Sequence, residues 1–116
     1  MEELQYILPQ KIGVFYKNQR WKKDIFDKIA EYYRSLDMIE FLTYATWDSR
    51  INLKDGTKIV FVEANGRCKG QRFTKVIMQP EIDKPIIDTV IRPCILPFAG
   101  TQCYVVDINH NKIEHI

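Results

Sequence analysis

"KIGVFYKNQRWKKDIFDKIAEYYRSL", residues 11–36, changes its apolar period halfway along. The first part, "KIGVFYK", is a compact apolar run, the pattern of a buried strand. From Arg20 the spacing becomes helical. Trp21, Ile25, Ile29, Tyr32 or Tyr33, and Leu36 recur every three or four residues, with Lys22, Lys23, Asp27, Lys28 and Glu31 between them. Asn18 stands at the junction, where its amide oxygen would accept from an otherwise unpaired backbone N–H and cap the helix. A strand that passes at once into an amphipathic helix over about 20–36 begins an α/β layer.

The flanking sequence extends that layer. "MIEFLTYAT" (38–46) predicts a second strand. In "RINLKDGTKIVFVEA" (50–64), Asp55-Gly56 separates Ile51 and Leu53 from Ile59 and Phe61. Glycine tolerates positive φ, so the pair predicts a hairpin with a two-residue turn. Asn65-Gly66 opens a loop, and "KVIM" (75–78) returns to a short buried strand that Pro80 stops. Asp83 would cap a shorter helix from Lys84 to Ile91, with Pro85 tolerated in its first turn. Pro93 and Pro97 bracket an irregular stretch before a last apolar strand, "QCYVVDI" (102–108). "NHN" (109–111) then turns into "KIEHI", a terminal hairpin. The reading is an α/β fold: a single small domain over residues 1–116, with a mixed β-sheet, one long amphipathic helix and a shorter second helix.

Composition agrees with one folded core. The 116 residues are 46% hydrophobic and 28% charged, values of globular proteins rather than disordered ones. Net charge is only +2, but it is unevenly placed. Residues 11–23 hold Lys11, Lys17, Arg20, Lys22 and Lys23 with no acid, and residues 64–75 hold Arg67, Lys69, Arg72 and Lys75 with none. Cys68, Cys94 and Cys103 are odd in number and form no CxxC pair, which favours reduced thiols and a cytoplasmic setting. Met1-Glu2-Glu3 lacks the basic-then-apolar order of a signal peptide, and no stretch approaches the roughly 20 apolar residues of a membrane span.

Little in the sequence points to catalysis. There is no GxxxxGK[ST] segment and no GxGxxG, so neither glycine-rich phosphate cradle is present. His110 and His115 have no nearby cysteine or acidic cluster and read as turn and terminal residues rather than metal ligands. Cys68, flanked by Arg67 and Lys69, is the best-placed thiol for a lowered pKa, but no histidine lies near it in sequence and it reads as a loop cysteine. Ser35 and Ser49 lack a GxSxG context, and Glu81, Asp83 and Asp88 read as solvated acids. No catalytic residue, metal or cofactor is expected.

The order of "KIGVFYKNQRWKKDIFDKIAEYY" and "SRINLKDGTKIVFVEANGRCKGQRFTKVIMQPEI" resembles the ATPase core of phage large-terminase subunits and related helicase-type P-loop ATPases. There, a strand and helix follow the phosphate-binding loop. A hairpin with a Gly turn, an Arg-Gly-containing loop and an apolar strand ending in Asp-Glu come next. The resemblance covers roughly residues 11–82 and rests on order and spacing. Gly56 matches the hairpin turn, Gly70 with Arg72 the loop, and Val76, Ile77 and Met78 the strand. Gln79 falls where the family has its Mg²⁺-binding Asp, and Pro80 where it has the catalytic Glu. A neutral amide cannot supply the charge that holds the metal, and proline has no side chain to polarise water. Glu81 comes one residue late and would point to the other face of an extended chain. The resemblance therefore implies a truncated, disabled relative that is not an enzyme.

Two roles follow as expectations. One is a non-catalytic accessory or inhibitory interaction protein of a phage or mobile element, acting on DNA-processing or defence machinery. It would pair with a protein partner, or a second copy, through an edge strand such as "KIEHI" or the 50–64 hairpin. The alternative is a small protein that binds DNA or RNA through the basic loop 67–75, with Arg67, Lys69, Arg72 and Lys75 on phosphates and Phe73 stacked on a base. Arg20, Lys22 and Lys23 at the start of the helix would add to it, although Trp21 among them fits the helix's buried face. The same basic loops also suit plain solvation of a small protein.

Overall fold

A computed structural model of the chain describes residues 10–65 and 72–95 in full, together with the backbone of strands Gln102–Val106 and Lys112–His115. The apolar run of the opening stretch forms β1 (Lys11–Tyr16), at the centre of the sheet. It pairs in parallel with β4 (Lys58–Glu63) on one side and β5 (Lys75–Met78) on the other. Both faces of such a strand are covered, which is why its sequence is continuously apolar instead of alternating. Beyond β4 the sheet continues antiparallel through β3 (Ser49–Leu53) to β2 (Ile39–Thr43). Beyond β5 lie parallel β6 (Gln102–Val106) and antiparallel β7 (Lys112–His115). The order is β2-β3-β4-β1-β5-β6-β7, a mixed seven-stranded sheet among the described residues.

One helix lies on each face. α1 (Gln19–Ser35) is capped as expected, Asn18 Oδ1 accepting from the Trp21 N–H at 2.9 Å. It seats Trp21, Ile25, Phe26 and Ala30 on Ile12, Val14, Tyr16, Ile51, Leu53, Ile59 and Phe61. The shorter helix, α2, is α-helical over Lys84–Ile86, π-helical over Ile87–Ile91 and 3-10 over Arg92–Cys94, so it runs three residues past its expected end. Ile91 and Cys94 close the second face over Phe15, Val62, Phe73, Val76 and Met78. Asp88 bridges Lys84 and Arg92 along the exposed side of α2, so it stands apart from Glu81 and Asp83 as a surface ion pair. No helix among the described residues is long and apolar enough to cross a membrane.

The hairpin of β3 and β4 is present, but two details differ from expectation. Gly56 takes φ 92° while Asp55 stays at negative φ. The Gly56 N–H donates to Leu53 O at 3.0 Å, and the Leu53 N–H to Thr57 O at 2.9 Å. That is a three-residue loop with glycine in the left-handed position, not the two-residue turn, which needs positive φ at both central residues. The hairpin is also interior, flanked by β2 and β1, so it offers no free edge. The strands at the two ends of the sheet are β2 and β7.

Gly13 is the one glycine in β1, and the sheet needs it. A Cβ there would stand 2.8 Å from a ring carbon of Phe73, which lies against the strand and is fully buried. A glycine inside a strand commonly marks such a close approach.

Candidate functional site

The chain leaves β1 through α1 for β2, returning through β3 to β4 on one side, and leaves β5 through α2 for β6 on the other. Adjacent β1 and β5 thus form the switch point of the sheet, and the crevice beyond their C-terminal ends is where open α/β sheets hold ligands. Only Lys17 and Asn18 separate β1 from α1, too short a connection to wrap a phosphate. The Gln79 side chain fills the place instead. Its Oε1 accepts from the Lys17 N–H at 2.6 Å and the Asn18 N–H at 3.1 Å. A neutral amide oxygen thus occupies the two backbone donors that face the crevice. Glu81 is not a continuation of the strand, because Pro80 and Glu81 form a turn with Glu81 at φ 69°. Lys17 Nζ donates to the Glu81 carbonyl at 3.1 Å and ties that turn to β1. A cleft of about 300 Å³ remains, lined by Asn18, Arg20, Trp21, Gln79, Pro80 and Glu81.

The described residues among those expected to grip nucleic acid do not form one surface. Arg67, Cys68, Lys69 and Gly70 lie outside the described residues, as do His110 and the side chains of Cys103 and His115. Phe73 is fully buried, edge-on to Phe15 with ring centroids 5.8 Å apart, so it cannot stack on a base. Lys22 is fully buried as well and its ammonium is committed to backbone carbonyls, so it cannot contact phosphate. Arg72 is exposed and donates to Pro93 O at 2.6 Å, and Lys75 is half-buried. These two mark the N-terminal end of β5, whereas Arg20 and Lys23 follow the C-terminal end of its parallel neighbour β1. Six residues of strand, roughly 17–20 Å, separate the groups. Lys23 is further engaged in an exposed ion pair with Asp27 at 2.9 Å.

What buried Lys22 does is build the loop between β2 and β3. Its Nζ donates to Ala45 O at 2.8 Å and Thr46 O at 3.0 Å, and lies 4.8 Å from the centroid of the Tyr16 ring and 5.0 Å from that of Tyr44. Burial pulls the Lys22 ammonium below the usual lysine range, against the opposing charges of Glu63 and Asp48. Glu63 Oε2 is itself buried and takes no hydrogen bond from a described residue, so its charge acts on Lys22 through space. Burial likewise pushes the Tyr16 phenol up, with a Gln19 hydrogen bond working the other way and Glu63 adding to the rise. The Tyr16 hydroxyl and Gln19 Nε2 both reach Thr46 O at 3.4 Å. Ser49, also buried, closes the loop by donating to Ala45 O at 2.7 Å and accepting from the Ala45 N–H at 3.1 Å. All this buried polar structure holds up a loop whose tip, Trp47, is 70% exposed.

Trp47 is not isolated. The large hydrophobic side chains exposed among the described residues are Tyr32, Leu36, Phe41, Tyr44 and Trp47, and all five fall on the segment from the last turns of α1 through β2 to its following loop. Phe41 lies on β2 itself, Tyr32 packs on Tyr33 at the end of α1, and Tyr44 packs edge-on to Phe26 with ring centroids 4.9 Å apart. Around the corner, a groove of about 460 Å³ is bordered by the cations Lys11, Arg50 and Lys58, the acids Asp48 and Glu63, and Trp47, Val60 and Val62, with Tyr16, Ser49 and Phe61 beneath. Compared with models of protein families, with curated proteins and with solved structures, the chain matches none.

Proposed function

We propose that the protein is a non-catalytic interaction module of a phage or mobile element, working in the cytoplasm, and that it takes an extended segment of a partner protein along β2. The observation that carries this is that every large exposed apolar side chain of the described residues falls on one continuous segment, from the end of α1 to the loop after β2, which includes the unpaired strand β2. An edge strand offers a row of free N–H and C=O groups, and natural sheets blunt it with lysine, proline or a cover. β2 has no lysine and no proline, and its only charge is Glu40. Its register shift lies between Ile39 and Phe41, so Phe41–Thr43 stay regular. Tyrosine and tryptophan supply contact area at low entropic cost, and a peptide added to an edge uses such side chains for selectivity. Gln79 in the switch-point crevice favours binding over nucleotide hydrolysis, since it holds with a neutral amide the donors that an anion would need. The mobile-element origin rests on the terminase resemblance of the order of segments over residues 11–82.

The test is site-specific photo-crosslinking. With p-benzoylphenylalanine at position 41 or 47, irradiated cells should yield one covalent adduct with a protein partner, absent when the probe replaces Lys84 on α2. Adducts of equal yield from all three positions, or none from 41 and 47, would refute the edge as the binding surface. An adduct of twice the chain's own mass would identify a second copy in place of a foreign partner.

A further inference from the structure

The sheet face opposite α1 is covered by α2 over β1, β5 and the Val62 end of β4, where Phe15, Val62, Phe73, Val76 and Met78 meet Ile91 and Cys94. Over β3 and the Lys58 end of β4 it is open. The strand register fixes what lines it. Lys11 stands beside Lys58, Gly13 beside Val60, and Phe15 beside Val62, while Arg50 stands opposite Val60. Ile12 and Ile59 face α1, so Lys11 and Lys58 both point to the open side. Two lysines in direct register on strands roughly 4.8 Å apart repel one another. Lys11 Nζ lies 5.4 Å from the Phe73 ring centroid, and no described carboxylate pairs with either ammonium. Arg50 adds a third cation, held by Asp48 at 2.8 Å. Ser49 is opposite Phe61, so Asp48 comes level with Val62 and Trp47 with Glu63, at the other end of the groove. The floor between is Val60 and Val62, Glu63 also lines the groove, and the lysine row lies about 17 Å from the Trp47 end.

We propose that this groove binds single-stranded nucleic acid, with the Trp47 indole stacked on a base and Lys11, Lys58 and Arg50 holding phosphates. Each part is matched to that ligand. A stacking platform beside a cationic track is the arrangement by which single strands are held without sequence readout. The indole is set in place before binding by the Lys22 and Ser49 bonds to its loop, so little ordering opposes the contact. A small molecule is a poorer fit, since it needs most of its surface enclosed and this face is open along the strands. A duplex is poorer still, because its bases are already stacked on one another. The site differs from the basic loop 67–75 and does not depend on the β2 edge binding a protein.

The test is fluorescence anisotropy of a labelled 12-nucleotide oligo(dT) at low salt, with a duplex of equal length alongside. The wild-type protein should bind the single strand at least tenfold more tightly than the duplex. Trp47→Ala should weaken single-strand binding roughly 5- to 150-fold, and Trp47→Phe should restore part of it. Lys58→Glu should weaken binding about tenfold or more and reduce the salt slope by about 0.7 for a lost phosphate contact. Lys28→Glu, on the solvent side of α1, makes the same charge change and should do far less. Lys58 and Trp47 are both exposed, so the folded content measured by circular dichroism should be unchanged in these variants. The assignment falls if no binding is seen, if duplex binds equally well, or if Trp47→Ala and Lys58→Glu bind as wild type. It also falls if pyrophosphate or polyglutamate displaces the oligonucleotide as readily as unlabelled oligo(dT) does.

Discussion

Phe73→Ala lowers the free energy of unfolding by about 3–5 kcal/mol, the range for truncating a fully buried aromatic side chain. The ring fills the space over Gly13, meets Phe15 edge-on and belongs to the cluster that α2 closes. Little can collapse into the void, because β1 has no side chain at that point and the backbone beneath is held by parallel strands on both sides. A urea titration followed by circular dichroism should show a lower midpoint with an unchanged slope. A change within about 0.5 kcal/mol would mean a side chain at the surface, as the sequence alone suggested for a base-stacking residue.

Lys22→Met should cost on the order of 3 kcal/mol. Each hydrogen bond from a charged donor contributes about 1.5–3 kcal/mol, and two are lost, while methionine recovers part of that by avoiding the burial of a charge. Thr46 O keeps the longer bonds from Tyr16 and Gln19, but Ala45 O keeps only Ser49. The neighbouring Lys23→Met removes an exposed pair within one helix and should cost less than about 0.5 kcal/mol. Equal losses for the two substitutions, read from the same denaturation curves, would show that the Lys22 ammonium does not hold the loop.

The elements built from local signals were legible in the sequence. The switch from strand to helical period marked β1 and α1, Asn18 marked the cap, and Asp55-Gly56 marked the hairpin, though not its loop length. What the sequence hid depends on contacts far apart along the chain. Periodicity says that β3 and β4 form a hairpin but not that β2 and β1 flank it, so the free edge was assigned to the wrong strand on that side. Phe73 read as a loop residue because its neighbours are basic and it is out of step with Val76 and Met78. Its burial follows from an isolated bridge to Ile95 and from the gap at Gly13, and a glycine within an apolar strand was the available clue. Lys22 was counted with the surface cations around it, yet it stands four residues before Phe26 and eight before Ala30, on the buried stripe of α1. For the binding surfaces, Trp47 had no motif around it, and its prominence comes from tertiary support that no local pattern encodes.

Both binding proposals rest on Trp47 being carried by a rigid loop. Nitrogen-15 relaxation of the backbone amides of Ala45, Thr46 and Trp47 in the free protein tests this directly. Pinned by Lys22, Tyr16, Gln19 and Ser49, these amides should show order parameters near about 0.85, like those of β3 beside them, whereas values below about 0.6 would contradict a preformed platform.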